Sequence, residues 1–357
     1  MRSVIHGISA AGVETPPNNP SGPNPRRTAF TLIELLVTIS IIGILISITM
    51  PSLKAAREQA KRVVCQANMK SVNTSLLTYV SELDTYPVLL QVNPQNCSPS
   101  WATWSFGGWT GRDFETYCDA DARGRFCFQT FQRPLSVYMM EPSAIAPDSK
   151  GADGRFGTGD DLTTEMPMFR CPSDTVSTQW RWRTANASEK VKEMSAYDQC
   201  GSSYQMNFYW FHQAKVRARN AVESGRCFSY RVWSRAFEMG RQLWRRADQF
   251  GGAVRFVTLV EDPFDWGVAQ NLAESADAEA DAEFRHFVIG EQTLGFHGTW
   301  SKHMLAFLDG HVDYTLADTR YQREGHWTVT NEAWFDTRRR ENCPPFSVTA
   351  RACPDDR

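Results

Sequence analysis

The chain has 357 residues, 42% of them hydrophobic and 22% charged, with a formal net charge of -2 at pH 7. Near-neutrality removes any global drive toward nucleic acid or anionic lipid, so recognition rests on local chemistry. The apolar content, with 12 Trp, suits at least one sizeable hydrophobic core and excludes a wholly disordered polypeptide.

Residues 1–29 read as a leader. Pro16 to Pro25 is too rich in Pro, Asn and Gly to pack, and we exclude it from the fold. Arg26 and Arg27 then precede an apolar run from Phe30 to Met50, about 21 residues against the ~20 that cross a bilayer core at ~1.5 Å per residue. No charge stands between Leu35 and Met50, so Glu34 is a solitary acid near the start of a membrane-length helix. A carboxylate there costs a few kcal/mol and usually marks a pairing role; the plainer reading is a group near enough to the interface to stay wet. A secretory signal peptide has a shorter apolar region ending at a small-residue site, and a twin-arginine signal is poorly spaced here.

The Arg-Arg pair followed by Phe30-Thr31-Leu32-Ile33-Glu34 resembles the processing site of type IV prepilins and type II secretion pseudopilins. The resemblance implies that a prepilin peptidase cuts between Ala29 and Phe30 and methylates the new amine of Phe30. Ala29 stands where the family usually carries Gly. Glu34 would then neutralise that amine, four residues away in its own helix or in a neighbouring subunit. Gly43 and Pro51, the fourteenth and twenty-second residues after the cut, stand where family members commonly have Gly and Pro, and proline kinks or locally melts a helix. The implied location is a single-pass inner-membrane protein before assembly, with its C-terminal head exported to the periplasm or cell surface. Arg26 and Arg27 favour that orientation, whereas Lys54, Arg57, Lys61 and Arg62 oppose it.

The helix continues as an amphipathic, soluble half over residues 51–85. Leu53, Ala56, Ala60, Val63, Ala67, Val72, Leu76, Leu77, Tyr79 and Val80 recur at helical spacing, and Tyr86-Pro87 ends the run. Residues 86–357 form the head, in which no second apolar stretch approaches membrane length.

In the head, Asp148 to Leu162 places Asp153, Asp160 and Asp161 in a Gly-rich loop. Such a loop supplies hard oxygens on a pliable backbone, as Ca²⁺ requires, and equally makes a plain Gly/Asp turn. It is similar to the calcium loop of major pseudopilins, which implies those three aspartates as ligands, with Ser149 or nearby carbonyls. Phe169 to Asp174 and Ser202 to Asn207 resemble a segment pair of large pilin-like proteins; Pro172 to Asp174 reads as a turn and Ser203 to Asn207 as a strand. Val254 to Val260 supplies another strand. Met304 to Leu308, Asp309-Gly310 and His311 to Thr315 read as a hairpin on a type I′ turn. With His297, this resembles the family ending of a histidine, nine residues and Asp-Gly, here with eleven between. A two-residue insertion near Gly298 to Lys302 accounts for the difference.

Arg-Trp mixtures at Gln179 to Arg183 and Arg241 to Arg246 have the composition that grips nucleic acid, but amphipathic helix faces explain them better. The acidic stretch Glu274 to Glu283 reads as an exposed loop or short helix. Nine cysteines contain no Cys-x-x-Cys pair, so the strong zinc signatures are absent. Proximity along the chain suggests Cys171 with Cys200 and Cys343 with Cys353, leaving Cys65 over. His297, Asp309 and His311 use acid–base vocabulary, yet no nucleophile elbow, HExxH or P-loop accompanies them. Asp309 is explained by its turn and His297 by a hydrogen bond closing its loop onto the hairpin.

The expected class is α+β: a long N-terminal membrane helix packed on a head with an antiparallel sheet. The expected function is a non-enzymatic pilin-like subunit, partnered by the prepilin peptidase/methylase, the membrane and other pilin-like subunits, with calcium as ligand and no nucleic acid. A membrane-anchored surface module binding glycan, protein or DNA is the alternative, and a soluble enzyme with a buried Phe30–Met50 helix the third. Asn93 to Met140 and Glu324 to Arg357 carry no assignment.

Overall fold

The computed structural model describes residues 31–92, 97, 99–100, 102–111, 129–140, 149, 151–152, 162–177, 194–207, 218–219, 221–244, 252–264 and 293–317. Ala29, Phe30, the three loop aspartates and Cys343 and Cys353 lie outside these. The chain divides into two compact units, 1–54 and 55–357, and helix α1 (Leu32–Leu83) belongs to both.

In the first unit α1 is long and apolar enough to cross a membrane. Its apolar side chains lie open: Leu32, Ile42 and Ile48 are all more than half exposed. The helix runs unbroken through Gly43 and Pro51. Pro51 has no N–H to offer the Ser47 carbonyl. Hydroxyls fold back onto the same helix: Ser47 Oγ donates to the Ile44 carbonyl at 2.7 Å and Thr49 Oγ1 to that of Leu45 at 3.0 Å.

The second unit is a head built on a four-stranded antiparallel sheet. β3 (Tyr204–Met206), β4 (Val257–Glu261), β5 (Lys302–Phe307) and β6 (Val312–Leu316) pair in sequence order, with a register shift between Val257 and Leu259. A two-stranded pair, β1 (Gln91–Val92) and β2 (Pro99–Ser100), stands apart. The inner stretch of α1 buries Cys65, Met69, Val72, Asn73 and Leu76 in the core that β3 to β6 line. Val72, Leu76, Leu77, Tyr79 and Val80 pack as expected, whereas the earlier part of the expected face does not. Ala56, Ala60, Val63 and Ala67 are exposed, because the packed seam is offset by two residues, about 200° around the helix.

Hydrogen bonds fix α1 against the sheet. Buried Asn73 Nδ2 donates to the Phe307 carbonyl at 2.9 Å, and its Oδ1 accepts from Thr258 Oγ1 at 2.6 Å. Gln66 Nε2 reaches the Val312 carbonyl at 2.8 Å, and Lys70 Nζ donates to that of Gly310.

Three strand expectations are met with local revisions. β3 is buried on all three residues, since it lies under other chain on both faces rather than half in water. β4 starts at Val257, because residues 253–255 turn and leave Val254 exposed. The hairpin is not a type I′ turn. Gly310 alone has positive φ (+91°), its N–H donates to the Phe307 carbonyl at 2.9 Å, and Leu308 to Gly310 form a three-residue loop.

The cysteine pairing also differs from expectation. Cys65 joins Cys171 and Cys97 joins Cys227, while Cys200 is a buried free thiol. Cys65 faces inward on the packed seam of α1, where it meets the turn after Phe169. Cys200 ends α3 (Ala196–Cys200) and donates to the Ala196 carbonyl at 3.1 Å.

Arg133, before helix α2 (Pro134–Met139), is a second organising residue and is 1% exposed. Its guanidinium donates to the carbonyls of Gly107 (2.9 Å) and Cys200 (2.9 Å), tying three segments together. The backbones there approach so closely that a Cβ on Gly201, at φ +89°, would fall 1.7 Å from the Trp109 oxygen. Helix α4 (Phe228–Trp244) buries Val232, Trp233 and Ala236 in a separate cluster with Ala218.

Candidate functional site: the start of α1 and the His297 cluster

Thr31 and Glu34 close the start of α1 on themselves. Thr31 N and Oγ1 both donate to Glu34 Oε2, at 2.9 and 2.8 Å, and Glu34 N donates to Thr31 Oγ1 at 3.2 Å. This is a capping box: each end satisfies a donor that the first helical turn leaves without an acceptor. The sequence reading paired Glu34 with the amine of Phe30 or left it wet at the interface, although Thr-x-x-Glu before an apolar run is a readable signal for the cap.

In the head, the segments singled out by sequence converge. Phe169 to Asp174 and Ser202 to Asn207 are joined by Ser203 N to the Phe169 carbonyl (2.9 Å) and Cys171 N to Ser203 Oγ (3.0 Å). Asp174 accepts from Ser203 Oγ at 2.6 Å and from Ala196 N and Tyr197 N at 3.0 and 2.9 Å, so it caps α3 from outside. Ser195 caps the same helix at Asp198 N, 3.0 Å. Burial pushes the Asp174 carboxyl up to about 7, outweighing those hydrogen bonds.

His297 sits in the turn that Gly298 N closes onto the Gly295 carbonyl at 2.9 Å. It does not bond the hairpin as expected. Its Nδ1 lies 2.9 Å from Glu58 Oε1 on α1, its ring meets Tyr314 of β6 edge-on at 5.3 Å, and its Nε2 lies 3.9 Å from Cys171 Sγ. Ser173 Oγ donates to Glu58 Oε1 at 2.7 Å, and Lys61 Nζ is 3.6 Å from Oε2. Burial opposes ionisation of Glu58, but the hydrogen bonds from Ser173 and His297 and the charge of Lys61 prevail and hold its carboxyl below the usual range. Asp309 and Gly310 lie apart from this cluster, in the hairpin loop, where Asp309 Oδ1 accepts from His311 N at 3.0 Å.

One buried pair escaped the sequence reading. His303 Nδ1 lies 2.6 Å from Glu261 Oε1, and His303 Nε2 lies 3.1 Å from Thr293 Oγ1. Both residues alternate within apolar strands, and their meeting depends on the β4–β5 register. For the calcium-loop reading, the described flanks are Ser149 and Leu162, whose backbones exchange hydrogen bonds of 3.0 and 3.1 Å.

Comparison with known proteins agrees with the architecture. Residues 24–50 match the prokaryotic N-terminal methylation motif, a stretch that contains Ala29, Phe30 and Glu34. Residues 54–226 match a family described as a protein of unknown function (DUF1559). The type IV narrow pilus major component PilA5 of Thermus thermophilus is 34% identical over 82 residues, 22% of this chain and 71% of that protein. The type II secretion system core protein G of Aeromonas hydrophila is 27% identical over 145 residues, 38% of this chain and 91% of that protein. The type IV major pilin protein PilA of Myxococcus xanthus is 38% identical over 63 residues, 18% of this chain, which spans only 29% of that protein's length. No solved structure matches the chain. The chain belongs to the family of type IV pilins and type II secretion pseudopilins. It is a pilin-like subunit of α+β fold, with an apolar N-terminal helix and a prepilin-type motif consistent with membrane anchoring.

Proposed function

We propose that the chain is anchored in the inner membrane by α1, trimmed between Ala29 and Phe30 and N-methylated by a prepilin peptidase, and drawn into a filament with other pilin-like subunits, its head exported. The observation that carries this reading is the pairing of a solitary acid, Glu34, with an apolar helix whose side chains find no cover of their own. Ile48 is 69% exposed and Met50 63%. In water that surface is costly at ~25 cal/mol per Å², so lipid and then neighbouring helices are its natural cover. Cleavage exposes an amine next to the capping box, and Glu34 exchanges its Thr31 donors for that charge in its own chain or the adjoining one. The role is mechanical rather than enzymatic.

The loop between Ser149 and Leu162 is a calcium site on this reading, with Asp153, Asp160 and Asp161 as ligands, ordering the head before assembly.

The test is Glu34→Ala in cells that shear filaments into the medium. The expected variant accumulates in the membrane at normal level and is missing from the sheared fraction. Incorporation at the unaltered level overturns the proposal. A head that binds glycan, protein or DNA while the unaltered chain never leaves the membrane favours the surface-module alternative.

A further inference from the structure

Three metal-ligating side chains, none of them used by the filament reading, converge under α1. One ligand atom each from Cys65, Cys171 and His297 lies within 4.8 Å of the others, and all three residues are buried. They come from three distant segments: the packed seam of α1, the turn after Phe169 and the turn after Gly295. Each is held independently. The Cys65 carbonyl accepts from Tyr204 Oη at 3.2 Å, Cys171 N donates to Ser203 Oγ at 3.0 Å, and the His297 ring is fixed between Glu58 and Tyr314.

The orientation of His297 is the telling feature. Glu58 Oε1 takes Nδ1 at 2.9 Å, which leaves Nε2 facing the sulfurs, 3.9 Å from Cys171 Sγ. A carboxylate on one ring nitrogen and a ligand position on the other is the carboxylate–histidine–zinc arrangement, in which the outer group fixes tautomer and raises ligand basicity. The carboxylate is itself fixed by Ser173 Oγ at 2.7 Å. A tetrahedral ion with ~2.3 Å Zn–S and ~2.0 Å Zn–N bonds sets sulfur and nitrogen ~3.5 Å apart, so the ring needs little movement.

We propose that the dithiol form of the Cys65–Cys171 pair, with His297 Nε2, is a zinc site, and that disulfide and zinc are alternative closures of the same three-segment junction. Two thiolates and an imidazole are the donors zinc takes, with a fourth position left to water. The two thiolate charges would be buried, with the Glu58 carboxylate on the far side of the His297 ring; the dication neutralises them. Reduction by an external dithiol breaks the S–S bond, places two electrons and two protons on the sulfurs and leaves the reductant as a disulfide. Zinc then displaces the two thiol protons and forms two Zn–S bonds. Oxidation by a disulfide of higher potential reverses both steps and expels the ion. The head thus stays pinned to α1 in reducing as well as oxidising surroundings.

The test uses the full chain in detergent, reduced with a phosphine and titrated with Co²⁺ and then Zn²⁺. The expected result is a thiolate-to-cobalt charge-transfer band and tetrahedral ligand-field bands that saturate at one equivalent, are bleached by zinc, and are lost in Cys171→Ser and His297→Ala. The unreduced chain should give none of them. Glu58→Gln removes no ligand and guards against misfolding of the other variants; it should bind cobalt ~10–100-fold more weakly with an unchanged spectrum. Absence of the band in the reduced chain, its persistence in Cys171→Ser and His297→Ala, or unaltered affinity in Glu58→Gln overturns the proposal.

Discussion

The two ends of α1 share a backbone and differ in everything that surrounds it. Between Leu32 and Met50 large apolar side chains stand exposed, Ile48 at 69%, whereas Met69, Val72 and Leu76 are 0% exposed. The inner stretch has its cover within the same chain: β3 to β6, Phe256 and Phe307, and the hydrogen bonds that Asn73 makes with the Phe307 carbonyl and Thr258 Oγ1. The outer stretch closes its first turn with Thr31 and Glu34, yet its apolar flanks lie open. One region is a finished core; the other is an open apolar surface, which on the proposed reading lipid and then another subunit cover. A pilin-like subunit needs both in one helix.

Truncating each stretch tests that contrast most strongly. Leu76→Ala should cost about 2–5 kcal/mol of head stability through lost burial and a residual cavity, read as a lowered unfolding midpoint of the full chain in detergent. Ile42→Ala, equally apolar in sequence, should move the same midpoint by less than about 0.5 kcal/mol. Equal losses would mean that the outer stretch is also core. Asn73→Ala should cost about 1–3 kcal/mol, since the Phe307 carbonyl loses its side-chain donor and Thr258 Oγ1 one acceptor in a buried place. A midpoint within error of the parent would place that face of α1 in water.

A further effect is a pH slope. The Asp174 carboxyl, raised to about 7 from 3.8, keeps in the folded chain a proton that the unfolded chain releases. Its contribution to stability is therefore fully present below about pH 4 and is lost as pH rises through about 7. Asp174→Asn should flatten the fall in denaturation midpoint across that window. An unchanged slope would assign the pH dependence elsewhere.

The sequence exposed what depends on local chemistry. Alternation and Asp-Gly marked β5 and β6, the apolar run and Tyr86-Pro87 marked α1, and Phe30 to Glu34 marked the family. It concealed what depends on long-range meeting. Val72, Leu76, Leu77, Tyr79 and Val80 were legible as the packed face, but upstream Ala56, Ala60, Val63 and Ala67 make as regular a stripe as Cys65 and Met69, and only the sheet decides which one packs. Arg133 appears an ordinary surface residue until the carbonyls of Trp104, Gly107 and Cys200 surround it. Cys171 lies near Cys200 in sequence, but Cys65 on the helix is what its turn meets. His297 stood out in the sequence, while its partner, Glu58, stands 239 residues earlier.

The central claim is that the amine released beside Glu34 exists in the cell. Intact mass spectrometry of the chain recovered from membranes tests it directly. The account predicts a species that begins at Phe30, lacks residues 1–29 and carries one methyl group on its N-terminal nitrogen. A chain recovered wholly with Met1 in place and no methylation would contradict it.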